Sequence, residues 1–200
     1  MGYVLYGGTA ITLRLGHRMS VDFDFFSSSP QDKDQLLLKL TFLKDAEIFQ
    51  NKTDSLGYKV FFNNISISLS FFNNLSMGRV GIPTFSPDGI VNMASLEDLL
   101  AFKIKVIQQR ILVKDYQDVA ALCRAGYSLL DGLAATKTLF PDCSPILCAK
   151  SLTFFKGGDL YELSDSDKII LVKYVNELDF KNLPIVKLLS KDLTTKGPSL

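Results

Sequence analysis

The sequence predicts an α+β protein: a small mixed sheet flanked by helices, followed by a helical second half. Two observations carry this. Short β-rich runs bounded by turn residues are confined to about the first 90 positions, where they alternate with segments of helical character. From about residue 92 onward the patterned segments are helical and open on capping residues. The change of character falls in the stretch 83–92, so residues 1–90 are expected to form a sheet-bearing unit and residues 91–200 a helical one.

Taken in order, Tyr3–Tyr6 reads as a first strand, Gly7 and Gly8 as a tight turn, and Thr9 as the N-cap of a helix that Gly16 ends in the left-handed conformation. Ser20–Phe26 is a second strand. Ser29 followed by Pro30 supplies a cap and a proline at the first helical position, predicting a helix from there through Leu40. Lys59–Phe62 and Ile65–Phe71 are further strands, joined by Asn63-Asn64, residues that tolerate positive φ and suit a tight hairpin. In the second half, Ser95-Leu96-Glu97-Asp98 matches the capping box. A helix beginning near Asp115 ends at Gly126, Ser128 and Ser144-Pro145 open two more, and Ser164 or Ser166 opens a last amphipathic helix through Leu178.

With 200 residues, 47% hydrophobic and 22% charged, the chain has the profile of a folded globular protein and not of a disordered one. Its net charge of +1 supplies no global field, so any nucleotide or nucleic-acid binding must come from a local patch. Cys123, Cys143 and Cys148 are odd in number and lack CxxC spacing, and His17 is the single histidine, which argues against a disulfide framework and a structural zinc site. A reducing cytoplasm is the expected location. No apolar run approaches the roughly 20 residues that span a bilayer, and the N-terminus lacks a basic segment followed by an apolar one, so no membrane role is expected. The chain opens almost at the Gly-Gly pair, and a truncated first layer is one reading of that start.

The stretch YGGTAITLRLGHRMSVDFDFF, residues 6–26, concentrates the chemistry. Side chains alternate along a strand, so Asp22 and Asp24 share one face while Val21, Phe23 and Phe25 take the other. Two carboxylates about 6 to 7 Å apart repel by roughly 2 to 3 kcal/mol at an effective dielectric near 20. A divalent cation between them turns that repulsion into attraction, and Mg²⁺ is commonly held by one or two carboxylates with substrate phosphates completing its shell. A solvated strand face carrying two ordinary aspartates is the alternative. Gly7 and Gly8 favour the cation: they let a ligand approach the backbone, and the amides of the following helix N-terminus receive phosphate. With Asp22 about 14 residues further on, strand, turn, helix and strand bring both features to one sheet edge.

These residues resemble a known family. GGTAITLRLGHRMSVDFDFF is similar to the signature of nucleotidyltransferase toxins of the AbiEii/AbiGii type, within the polymerase-beta-like nucleotidyltransferase superfamily: a glycine turn, a helix, and Asp-x-Asp on the next strand. SLEDLLAFKIKVIQQRILVKDYQDVAAL, residues 95–122, resembles the family's second conserved region, a lysine-bearing helix followed by Arg/Lys-Asp-x-x-Asp. The resemblance implies a small mixed nucleotidyltransferase sheet. It also implies transfer of a nucleoside monophosphate from an NTP with Mg²⁺ or Mn²⁺, to an RNA acceptor such as the 3′ end of tRNA or to a protein, in a toxin whose cognate antitoxin is its partner. In that reading Asp22 and Asp24 hold the metal, Lys103 joins them in catalysis, Gly7, Gly8, Thr9, Arg18 and Arg110 bind the nucleotide, and Asp115 and Asp118 support the cations. The alternative is a catalytically weak member that binds a nucleotide or a partner, because many transferases of the superfamily carry a third carboxylate where ISISLSFF offers Ser66, Ser68 and Ser70.

On a helical wheel Leu96, Leu99, Leu100, Ile104, Val106, Ile107 and Ile111 define one broad apolar face with Lys103 at its centre and Arg110 on the same side, while Lys105 points to the solvated side. An unpaired buried ammonium is costly, so Lys103 belongs at a cleft or beside an acid; a snorkelling lysine with a packed stem is the alternative. Asp115 and Asp118 are alternatively N-caps of the next helix. Arg18 has phosphate, Asp22 or Asp24 as candidate partners. His17 reads mainly as structural, capping carbonyls or lying near the cleft.

Overall fold

The computed structural model describes residues 2–193. Among them the strands are β1 (Val4–Tyr6), β2 (Asp22–Phe26), β3 (Glu47–Lys52), β4 (Ser55–Phe62), β5 (Ile65–Phe72), β6 (Thr84–Phe85) and β7 (Asn92–Met93). The helices are α1 (Gly7–Leu15), α2 (Lys33–Lys39), α3 (Leu96–Ile107), α4 (Val113–Arg124), α5 (Leu129–Leu139), α6 (Pro145–Leu152) and α7 (Asp165–Asn176). The strands form one mixed sheet in the order β3-β4-β5-β2-β1-β7-β6, so the α+β expectation holds.

Register decides which residues meet. β2 runs antiparallel to β1 and parallel to β5, and pairs Asp22 with Ser68, Asp24 with Ser70 and Phe26 with Phe72. β5 in turn places Ser70 opposite Gly57 of β4. One face of the sheet thus carries the two aspartates and the two serines. The other face carries Phe25, Phe71, Leu56 and Tyr58, which pack with Leu36 of α2 and Leu43 in a smaller core. The principal core joins β1 and α1 to the helical part: Leu5 and Ile11 belong to the same apolar cluster as Leu99, Ile104, Val119, Leu133 and Leu171. The sheet also continues beyond residue 90, since β7 pairs in parallel with β1.

Several elements fall where the sequence places them. Asn63 and Asn64 make the β4–β5 turn with φ of 48° and 64°. Gly16 ends α1 at φ 62° with its amide on the Thr12 carbonyl. Ser95 caps α3, accepting from the Asp98 amide at 3.0 Å, while the Asp98 carboxylate accepts from Ser95 Oγ and from the amides of Val80 and Gly81. Ser128, Ser144 with Pro145, and Ser164 open α5, α6 and α7.

Others differ for identifiable reasons. Thr9 is not a cap, because α1 begins directly at Gly7 with Tyr6 in the cap position; Thr9 is inside the first turn, where its buried hydroxyl donates to the Asp22 carbonyl and bonds Ser20 Oγ at 2.8 Å. The Ser29-Pro30 helix start is displaced to Asp32, whose side chain caps Gln35, since the Ser29 carbonyl accepts from Asn74 at the end of β5 and holds that segment extended. Neither Asp115 nor Asp118 caps α4. Its Val113 amide instead donates to Asp159 Oδ1 at 2.6 Å, a partner 46 residues away. α3 ends at Ile107, so Arg110 lies in the α3–α4 connection and not on the helix. Lys105 is half-buried against the ring of Phe140 and does not stand free in solvent. β3, β6 and β7 are additional strands, and β4 starts at Ser55, four residues before the predicted Lys59.

Candidate active site

A cleft of about 440 Å³ opens on the serine and aspartate face of the sheet, between β2, β5 and the start of α1 on one side and α3 with the α3–α4 connection on the other. Of the residues singled out in the sequence, Gly7, Gly8, Arg18, Asp22, Asp24, Lys103 and Arg110 line it. Thr9, Asp115 and Asp118 do not; they are buried behind it. Ser20, Ser68, Ser70, Lys114 and Phe49 line the cleft as well.

Asp22 and Asp24 differ in environment. Asp22 is half exposed and has Lys114 Nζ at 3.5 Å from Oδ2. Asp24 is more enclosed, and among the described residues no hydrogen-bond donor or cation pairs with its carboxylate. Burial, and then the charge of Asp22, push its carboxyl above the ordinary range, against the pull of Lys103, Lys114 and Arg110. An acid so placed has oxygens free for a ligand.

Behind this pair lies a buried ion network. Lys103 Nζ is 2.7 Å from Asp115 Oδ1 and 2.7 Å from Asp118 Oδ2, with the lysine side chain 7% exposed and both carboxylates fully enclosed. Arg110 Nε adds to Asp115 at 2.9 Å. Arg18 clamps Asp118 through Nε at 2.7 Å and Nη2 at 2.9 Å, and His17 Nε2 reaches the same acid at 2.6 Å. Arg18 therefore chooses Asp118 over Asp22 and Asp24. Burial alone would raise the carboxyl of Asp118, yet the hydrogen bonds of His17 and Arg18 and the charge of Lys103 overcome it and hold the group well below the usual carboxylate range. Asp115 is lowered in the same way by Arg110 and Lys103 against its burial. The network fixes three cations at the back and rim of a cleft whose front holds two acids.

The glycine pair makes this arrangement sterically feasible. At Gly8 a Cβ would lie 2.0 Å from Arg18 Nη2 and 3.2 Å from Asp118 Oδ2, so only glycine lets the arginine fork cross the turn. At Gly7, φ is +73° and a Cβ would lie 2.8 Å from Asp24 Oδ2. Gly7→Ala is accordingly expected to cost about 1 to 3 kcal/mol of stability from left-handed strain and to turn Asp24 away from the cleft. Chemical denaturation and a nucleotide-binding assay on the same variant check both effects.

The donor set fits a hard divalent cation. Two carboxylates on one face with the hydroxyls of Ser20, Ser68 and Ser70 nearby offer only oxygen, the preference of Mg²⁺ and Mn²⁺. Among the described residues no group of three or more histidines, cysteines or acids converges as a metal cage. A cation seated at Asp22 and Asp24 thus needs water or substrate phosphate to complete its shell.

The fold is that of a nucleotidyltransferase. Residues 2–142 match the family described as nucleotidyl transferase AbiEii toxin, of type IV toxin–antitoxin systems, and the chain belongs to that family. Membership carries with it a nucleotide substrate and an antitoxin partner. Among relatives, the chain is similar to an uncharacterized protein of Aquifex aeolicus (strain VF5), at 28% identity over 165 residues, covering 80% of this chain and 78% of that one. Among solved structures it is similar in fold to MenT4, a nucleotidyltransferase toxin from Mycobacterium tuberculosis H37Rv, with a TM-score of 0.58 at 14% identity, over 90% of this chain and 77% of that one. Among the described residues no helix is long and apolar enough to cross a membrane.

Proposed function

We propose that this toxin transfers a nucleoside monophosphate from an NTP to an RNA acceptor, with the 3′ end of tRNA as the first candidate. Asp22 and Asp24 would hold a divalent cation, which when bound neutralises charge on the transferring phosphoryl group. Lys114 and Arg110 at the rim are placed to meet the remaining phosphate charge, and Lys103 fixes the two buried acids that orient Arg110 and Arg18. The observation that carries the reading is the unpaired Asp24 carboxylate facing a cleft ringed by cations. The reading is tested by incubating the protein with each α-labelled NTP, Mg²⁺ and total cellular RNA. Label in RNA is the expected result; label in the protein alone would redirect the acceptor to protein, and label nowhere would sink the transferase reading.

A second reading has one observation in its favour. Ser68 and Ser70 occupy the β5 positions opposite Asp22 and Asp24, so no third acid reinforces the pair. A member that binds NTP without turnover fits that gap. Mg²⁺-dependent NTP binding with no labelled product separates it from the first.

A further inference from the structure

We infer that Phe49 is the stacking platform for the nucleobase of the NTP, an assignment that rests on the transferase reading above. Phe49 lies at a β-bulge of β3: Ile48 pairs with Tyr58 and Gln50 with Gly57, and Phe49 is the extra residue between them. Bulges re-aim a side chain, and here the ring is turned onto the cleft face of the sheet, where it lines the cleft. Its Cε2 and Cζ occupy the space a Cβ on residue 57 would fill, at 2.5 and 2.6 Å. Glycine at 57 therefore makes room for the ring to lie flat toward the cleft.

Position argues for a base. The cross-strand row Asp24, Ser70, Gly57 runs outward from the acid over β2, β5 and β4, and two strand spacings of about 4.8 Å put Gly57 roughly 10 Å from Asp24. That is the reach of a nucleoside whose phosphate is at the acid and whose base lies under the ring. Between them stands only a serine, so nothing bulky blocks the ribose. The other aromatic rings at the cleft are already engaged: Phe26 packs edge-on against Phe72 at 5.3 Å and against Phe102 at 6.1 Å. Phe49 has no ring partner among the described residues and is 47% exposed, an aromatic face available to a planar ligand.

Titration calorimetry with Mg²⁺, using each of the four NTPs and inorganic tripolyphosphate as a base-free probe, tests this. The wild type should bind its best NTP about tenfold or more tightly than tripolyphosphate. Phe49→Ala should bring the NTP down to the level of tripolyphosphate while leaving tripolyphosphate affinity unchanged, and Phe49→Trp should retain the preference. Gly57→Ala, which displaces the ring without deleting it, should reduce the preference as well. If Phe49→Ala still prefers the NTP as strongly as the wild type, the stacking role is overturned and the cleft reading stands. If the wild type binds neither probe, the cleft reading itself fails.

Discussion

Asp24→Asn is expected to reduce nucleotide transfer by about a thousandfold or more while leaving the fold intact and somewhat more stable. In the proposed mechanism the activity loss follows from losing one of the two carboxylates that would seat the cation, whose stabilisation of transferring phosphoryl charge would be worth several kcal/mol, at about 1.36 kcal/mol per tenfold. The stability gain follows from linkage. Burial and Asp22 raise the Asp24 carboxyl in the folded state, so the folded protein binds that proton more tightly than the unfolded chain does. The ionised carboxylate then costs stability at neutral pH; the cost declines as pH falls through the raised value and is gone below the ordinary one. Asparagine removes the charge at constant volume and removes the cost with it. Transfer assays at pH 7, and urea denaturation over a series from pH 7 down to the ordinary carboxylate value of about 3.9, check both halves: the variant should exceed the wild type in stability most at pH 7 and least at the acid end of the series. A variant that transfers normally, or one that melts far below the wild type, would count against the assigned role.

The front of this site was legible in the sequence because it is local. Gly7, Gly8, Asp22 and Asp24 lie within 18 residues, and strand alternation alone places the two acids on one face. Lys103 stood out for a related reason, a lysine in an apolar helical stripe being costly unless paired. What local pattern does not carry is choice of partner. Arg18 had three plausible partners near it and takes Asp118, 100 residues away, because α4 packs against α1 and brings that acid over Gly8. Thr9 looked like a cap and is instead a buried tie between α1 and β2, since Tyr6 leads into the helix without an intervening turn residue. β3 escaped notice because EIFQNK is a largely exposed edge strand whose bulge breaks the alternation. Phe49 escaped with it. The serines of β5 were visible as a missing acid, but their position opposite Asp22 and Asp24 is a matter of register, which only the assembled sheet fixes.

Lys103→Met should cost both stability and activity, and the two losses have one cause. The ammonium is shared by Asp115 and Asp118 at 2.7 Å each, in a place where neither acid meets water. Removing one member of a buried ion pair typically costs 3 to 5 kcal/mol; here each acid keeps another cation, Arg110 or Arg18, so about 3 kcal/mol is the expected size. Both carboxyls are held below the usual range, so their stabilisation is present above the unfolded value near 3.9 and is lost as pH falls through the folded values. Without Lys103 those folded values rise, and the acid-unfolding midpoint should move to higher pH. Transfer should drop by about a hundredfold, because Arg18 and Arg110 lose the fixed acids that aim them. Lys105→Met is the control on the same helix. Its ammonium lies 5.8 Å from the ring centre of Phe140, outside the ion network, and losing that contact should cost under about 1 kcal/mol with transfer unchanged. Acid titration followed by circular dichroism, with transfer measured in parallel, reads all of these. Equal losses in the two variants would mean that the paired carboxylates do not set the geometry of the cleft.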